Sequence, residues 1–121
     1  MTIKRSQNII VDKSFDFSLK VLAFCDGLES NKKYVLSRQL LKSGTSIGAN
    51  VREAQNAESL ADFIHKMKIA LKESEETDYW LSLCDKSELY PNCQELLDLN
   101  AELWRILTSI ISKSKQKTKI G

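Results

Sequence analysis

The chain has few of the residues that interrupt helices: its 121 residues include one proline and four glycines. An all-β domain of this size would need many more turn residues. No stretch of about 18 consecutive apolar residues is present, and the basic N-terminus lacks the apolar segment of a signal peptide. We therefore expect a helical, cytoplasmic protein with no membrane contact.

Histidine and cysteine are also scarce. The single His65 and the cysteines Cys25, Cys84 and Cys93 have none of the spacings used by zinc sites. Di-metal sites in bundles need Glu-x-x-His motifs on inward faces, and the residue three before His65 is Asp62. We expect buried, reduced thiols, a surface histidine, no metal or other cofactor, and no catalytic site. The carboxylates of residues 73–78 are interpreted as a solvated acidic face.

The sequence does contain four segments with helical periodicity, in which apolar or small residues recur at spacings of three and four. The predicted helices cover residues 12–29, 32–57, 60–86 and 92–112. Residues 113–121 form a basic tail that is expected to be disordered. Long helices joined by short turns predict one all-α domain, residues 1–121, folded as an antiparallel up-down-up-down four-helix bundle.

Two glycines, Gly44 and Gly48, lie one turn apart inside the second predicted helix. Each costs roughly 1 kcal/mol relative to alanine in a helix interior, so their presence needs a reason. The favoured interpretation is a close helix crossing with no room for a Cβ atom. The alternative is a kink or an approach of the backbone to a ligand. A phosphate-binding loop is excluded, because its lysine is missing and no strand precedes the segment.

The first and fourth predicted helices each carry two apolar stripes, whereas a helix in a monomeric bundle needs one. Either the core is wide or the surplus forms a subunit interface. The second is favoured, because soluble monomers rarely expose large apolar patches. Asn100, polar on an apolar stripe, either fixes the register of the helices or lies at a hydrated edge. The candidate interface residues are Phe17, Phe24, Leu97 and Trp104.

Basic residues cluster although the formal net charge is only +2. The last ten residues hold four lysines and no acidic residue. Each basic cluster is either a solvated face or part of a patch for a nucleic-acid backbone. Oligomerisation would multiply such a patch, and phosphate binding scales with the number of charges neutralised. The candidate phosphate-binding residues in the helices are Arg38, Lys42, Arg52, Lys68 and Lys72.

A family resemblance is carried by the run QLLKSGTSIGANVREA at residues 39–54, with KMKIALKE at 66–73 and ETDYWL at 76–81. Together with Asp62 and Phe63, these segments resemble the 23S ribosomal RNA intervening-sequence protein family, also called four-helix-bundle proteins. The family is similar to the accessory variability proteins of diversity-generating retroelements. The resemblance covers about residues 12–112. It implies a ring-shaped homopentamer that associates with RNA or with a nucleic-acid-processing protein.

Carried over to this chain, the basic positions most like those of the relatives are Arg38, Lys42 and Arg52. Position 42 is often arginine in the family. Lys42 keeps the positive charge but cannot form the bidentate hydrogen bonds that arginine makes with phosphate. Gly44 replaces the usual alanine. The predicted function is that of a non-catalytic, homo-oligomeric, RNA-associated accessory protein. The alternative is a self-assembling scaffold that binds a protein partner and has no nucleic-acid role.

Overall fold

The computed structural model describes residues 8–120, with side chains for residues 8–118. This part of the chain forms four helices and no strand: α1 Ile9–Ser30, α2 Tyr34–Ala54, α3 Leu60–Lys86 and α4 Gln94–Ile120. Each helix packs on the next, and α1 also packs on α4, which closes the bundle. The predicted all-α four-helix bundle is confirmed. No helix within residues 8–120 is long and apolar enough to cross a membrane.

The helix starts follow local capping. α1 begins at Ile9 rather than at residue 12, because the side chain of Asn8 accepts a hydrogen bond from the backbone N–H of Val11. α2 begins only at Tyr34, because Lys32 adopts a positive φ of 62°, which no helix continues. α3 begins where the sequence predicted, with the Ser59 hydroxyl accepting from the N–H of Asp62 at 3.0 Å.

The prediction of a disordered tail from residue 113 is wrong, because α4 continues to Ile120. Packing continues as well: Ile111 and Ser114 are 6% and 7% exposed. Lysine and glutamine are good helix formers, and the sequence contains no breaker before the final glycine. The lysines of this segment therefore occupy defined positions on a helix.

The prediction that Phe17 belongs to a subunit interface is also wrong, since only 1% of Phe17 is exposed and it lies in the core of the protomer. The other stripe of α1 faces outward: Phe15, Leu19 and Leu22 are 47%, 51% and 45% exposed. We call these three residues the α1 stripe. The other three candidate interface residues are neither fully buried nor mostly exposed. Phe24 and Leu97 are half-buried against the core, and Trp104 is 40% exposed.

α1 and α2 cross closely at the two glycines. A Cβ atom at Gly44 would lie 3.0 Å from both γ-carbons of Val21. A Cβ atom at Gly48 would lie 3.2 Å from the backbone oxygen of Ser14. The contacts run in opposite directions along the two helices, so α1 and α2 are antiparallel. The short distances also show that neither glycine site leaves room for a larger side chain.

Buried polar side chains link α3 to both of its neighbours. The hydroxyls of Thr77 and Ser43 lie 2.9 Å apart between α3 and α2, and Thr77 also lies 2.7 Å from the carbonyl oxygen of Glu73. Since Thr77 has one hydroxyl proton, Ser43 donates to Thr77 when Thr77 donates to Glu73. Asn100, 2% exposed, pairs with Ser74 between α4 and α3. Asn100 is therefore a core residue and not part of a hydrated edge.

The three cysteines are buried free thiols, as expected. Burial, together with the neighbouring Cys84, raises the pKa of Cys93 to about 12. Burial also raises the pKa values of Cys25 and Cys84. These thiols stay protonated near neutral pH, which makes them weak nucleophiles and poor metal ligands.

Candidate nucleic-acid interface

The five basic residues singled out from the sequence are all exposed, and they lie on the neighbouring helices α2 and α3. Arg52 leans toward α1, where its guanidinium carbon lies 5.2 Å from the centre of the Phe15 ring. Arg38 and Lys42 lie on the outer face of α2, and Lys68 and Lys72 on the outer face of α3. The sequence left each basic cluster open as a solvated face or as part of a phosphate-binding patch, and the positions of the clusters along the bundle distinguish them further.

Two of the five sit beside carboxylates. Burial raises the pKa of Glu73, and repulsion from Glu76 raises it further, while Lys72 and Lys42 act in the opposite direction. Lys42 and Lys72 are thus close enough to Glu73 to offset its charge. A phosphate placed here would meet the repulsion of these acids as well as the attraction of the two lysines.

The helix contacts fix how far along the bundle each charge lies. Arg52 is nine residues after Ser43, and Lys68 is nine residues before Thr77. Since Ser43 and Thr77 touch and their helices run in opposite directions, Arg52 and Lys68 both lie about 14 Å from that contact, toward the same end. Arg38 lies on the other side of the contact.

The C-terminal half of α4 reaches this same end of the bundle. Asn100 is level with Ser74, so residues after Asn100 run alongside the N-terminal part of α3. None of the ion pairs in the described part of the chain involves Arg52, Lys68, Lys113 or Lys117. We call the exposed cations at this end the basic end: Arg52, Lys68, Arg105, Lys113, Lys115 and Lys117.

The middle of the bundle has the opposite charge. Four acidic residues lie within six positions of α3, and three more lie on the neighbouring part of α4. Basic partners offset only a few of them: Lys13 pairs with Glu102 at 3.0 Å, and Lys20 with Glu95 at 3.1 Å. We call this region the acidic middle: Glu73, Glu75, Glu76, Asp78, Glu95, Asp98 and Glu102.

A groove of 480 Å³ opens in the acidic middle between α3 and α4. Its walls include Glu75 and Asp78, with Trp104 and Arg105 at one side. The indole N–H of Trp104 donates a hydrogen bond to the carboxylate of Glu75 at 3.4 Å. Carboxylates and an aromatic ring suit a cationic group and repel phosphate, while Arg105 supplies one opposing positive charge at one side of the groove.

The lysines of α4 are the functional candidates that sequence reasoning undervalued, because residues 113–121 were interpreted as a disordered tail. A signal for the longer helix was present. Leu103, Leu107, Ile111 and Ser114 continue at spacings of four, four and three, and all are buried. Within residues 8–118, no group of three His, Cys, Asp or Glu side chains could hold a metal ion.

Comparison with known proteins gives a family and similar solved structures. A protein of unknown function from the S23 ribosomal protein family of Bacteroides thetaiotaomicron, solved at 1.70 Å resolution, is 43% identical. The TM-score is 0.81, over 84% of this chain and 97% of that chain. No curated protein matches the chain. Because the characteristic pattern of the family matches residues 6–109, the chain belongs to the 23S rRNA-intervening sequence protein family.

Proposed function

We propose that the protein is a non-catalytic, homo-oligomeric accessory protein of the cytoplasm that binds RNA through its basic end. The observation that carries the proposal is the separation of charge along the bundle. Six exposed cations lie at one end, where Glu53 and Glu58 are exposed acids, while carboxylates dominate the middle. A polyanion is attracted to the first region and repelled by the second, so the bundle has one preferred orientation on a phosphate backbone.

The basic end suits backbone binding without sequence reading. Its Lys and Arg side chains are exposed on helix surfaces and can reach phosphates at little cost. Each phosphate neutralised releases condensed counterions, which makes the affinity depend on salt and on the number of contacts. The membership of the family adds support, since its name associates it with an RNA insertion.

Assembly would strengthen this binding. The α1 stripe leaves Phe15, Leu19 and Leu22 exposed in one row, beside a groove that includes Gly48 and Ala49 of α2. We propose that this surface, with the half-exposed Trp104, lies at or near a subunit interface of a homopentamer. Cyclic symmetry repeats each protomer around one axis, so five basic ends would lie on one rim of the ring. Their contacts would then act together on one RNA.

The acidic groove between α3 and α4 favours a second candidate function. Glu75, Asp78 and Trp104 offer a site for a lysine or arginine side chain of a protein partner. On this alternative the protein is a self-assembling scaffold without an RNA role. A protein partner with a basic segment would fit this groove.

Two double variants with the same change in charge test the RNA proposal. We expect Arg52→Glu with Lys68→Glu to lower affinity for a structured RNA by at least about tenfold, because two contacts become repulsive. Arg38→Glu with Lys42→Glu should have a much smaller effect, since these residues lie away from the basic end. Fluorescence anisotropy measures both. Light scattering must show that each variant keeps the oligomeric state of the natural protein, because Arg52 contacts Phe15 of the α1 stripe. Absence of RNA binding near physiological salt, or equal effects of the two variants, would favour the scaffold alternative.

A further inference from the structure

The end of α4 extends beyond the first residue of its neighbour α3. Leu60, the first residue of α3, is 14 positions before Ser74. The matching position on α4, 14 after Asn100, is Ser114, which is the last buried residue of α4 in the described side chains. Residues 115–120 therefore project about 9 Å past the start of α3. We call residues 113–120 the overhang.

The overhang carries lysines on opposite sides. At about 100° per residue, Lys113 and Lys117 differ in direction by about 40°, while Lys115 points about 160° away from both. Lys113, Lys115 and Lys117 are all exposed. The Thr118 hydroxyl donates to the carbonyl oxygen of Lys115 at 2.6 Å, a bond within the last turns of the helix. The segment thus presents positive charge on both flanks of a narrow rod.

This arrangement does not suit a membrane surface or a single strand. An interfacial membrane helix needs an apolar face, and the exposed residues 115–118 are Lys, Gln, Lys and Thr. A single strand lying along one side of the rod would reach either Lys115 alone or the pair Lys113 and Lys117, but not all three lysines. Charge on both flanks is best matched by two rows of phosphate.

We propose that the overhang lies across the major groove of double-stranded RNA, with Lys113 and Lys117 on the phosphates of one strand and Lys115 on those of the other. The inference rests on the proposed function and names its partner as a base-paired stem. A-form RNA has a narrow major groove flanked by the phosphates of both strands. Phosphate contacts need no access to base edges, so binding should be insensitive to stem sequence.

One substitution separates helix geometry from charge. Gln116→Pro keeps every lysine but breaks the helix at the middle of the overhang, because proline has no N–H and its ring clashes with the preceding turn. Gln116→Ala is the matched control, since alanine keeps the helix. The probes are a labelled RNA hairpin with a long stem and an unstructured single strand of equal length. Anisotropy at a fixed salt concentration gives both affinities.

We expect the natural protein to prefer the hairpin, and Gln116→Pro to lower hairpin affinity about tenfold while changing single-strand affinity by less than about threefold. Gln116→Ala should bind as the natural protein does. Lys115→Gln and Lys117→Gln, one on each flank, should each lower the salt slope on the hairpin by about one. An unchanged urea midpoint for Gln116→Pro shows that the bundle itself is intact.

Several results would overturn the overhang proposal. Equal hairpin binding by Gln116→Pro and the natural protein would show that the lysines act as diffuse charge. Equal affinity of the natural protein for both probes would remove the preference for a duplex. In either case a loss of RNA affinity in the Arg52→Glu and Lys68→Glu double variant would still support RNA binding at the basic end. Failure of the natural protein to bind either probe would overturn both proposals.

Discussion

Asn100 and Ser74 exchange two hydrogen bonds across the contact between α4 and α3. The Asn100 amide nitrogen donates to the Ser74 backbone oxygen, and the Ser74 hydroxyl donates to the Asn100 side-chain oxygen, both at 2.9 Å. No buried side-chain nitrogen or oxygen among the described residues lacks a partner. Sliding α4 by one turn would break both bonds inside the core. This pair therefore helps to fix how far along the bundle the α4 residues of the basic end lie.

We expect the pair to behave as a coupled unit in a double-mutant cycle. Ser74→Ala leaves the buried oxygen of Asn100 without its donor, and Asn100→Leu removes the partner of the Ser74 hydroxyl. Each should destabilise the fold by about 1–3 kcal/mol. The double variant removes both polar groups and should cost less than the sum of the two. Urea unfolding at one protein concentration measures all four states, and strict additivity would show that the two residues act independently.

The glycine crossing gives a prediction with an internal control. Gly44→Leu should destabilise the protein by about 1–3 kcal/mol, because its side chain would have to displace Val21 in a packed interface. Gly27→Ala should instead stabilise by up to about 1 kcal/mol, because nothing lies within 4 Å of its Cβ position and alanine favours the helix. Thermal unfolding compares them. An unchanged midpoint for Gly44→Leu would mean that α1 and α2 do not cross there.

Glu73 gives a prediction about pH. Burial raises its pKa in the folded state, so folding favours the protonated form and the charged form destabilises the bundle near neutral pH. This destabilisation disappears as pH falls through the raised pKa and below the ordinary carboxyl range of about 4. Glu73→Gln should therefore raise the urea midpoint at pH 7 and lose that advantage near pH 4. Glu88→Gln is the control, because it removes the same charge from the exposed turn before α4.

The α1 stripe tests the proposed assembly. Light scattering on a sizing column should give five protomers of 13.8 kDa, about 69 kDa. Leu19→Glu should dissociate the oligomer while circular dichroism shows unchanged helix content, because 51% of Leu19 is exposed in the protomer. Leu83→Glu changes a similarly exposed leucine on α3 and should leave the mass unchanged. A monomer at micromolar concentration would contradict the assembly, and loss of pentamer in both variants would place the interface elsewhere.

Much of the fold could be predicted because it depends on local signals. Periodicity and caps such as Ser59 mark where helices lie, and the two glycines mark where helices come close. The prediction from the sequence placed the stripe of Phe17 at the interface, and it is wrong because Phe17 and Phe15 belong to equally apolar rows. Only the position of α2 and α4 around α1 decides that Phe17 is buried and Phe15 is exposed.

The candidate site was harder to predict for the same reason. A helical spacing relates Arg38 to Lys42 and Lys68 to Lys72 in the sequence. Spacing does not show which charges on different helices lie at the same height along the bundle. That information comes from contacts between helices, such as Ser43 with Thr77. The sequence of a lysine-rich segment alone indicates disorder. In the structure, the buried residues Ile111 and Ser114 hold the start of the overhang against the bundle.

The salt dependence of RNA affinity tests the central claim most directly. The logarithm of affinity for an RNA hairpin should fall linearly with the logarithm of salt concentration, because binding releases counterions. Neutralising Arg52 and Lys68 together, as Arg52→Gln with Lys68→Gln, should reduce the slope by about two, whereas Arg38→Gln with Lys42→Gln should change it little. An identical slope for the natural protein and the Arg52 and Lys68 variant, or no binding at about 150 mM salt, would contradict the account.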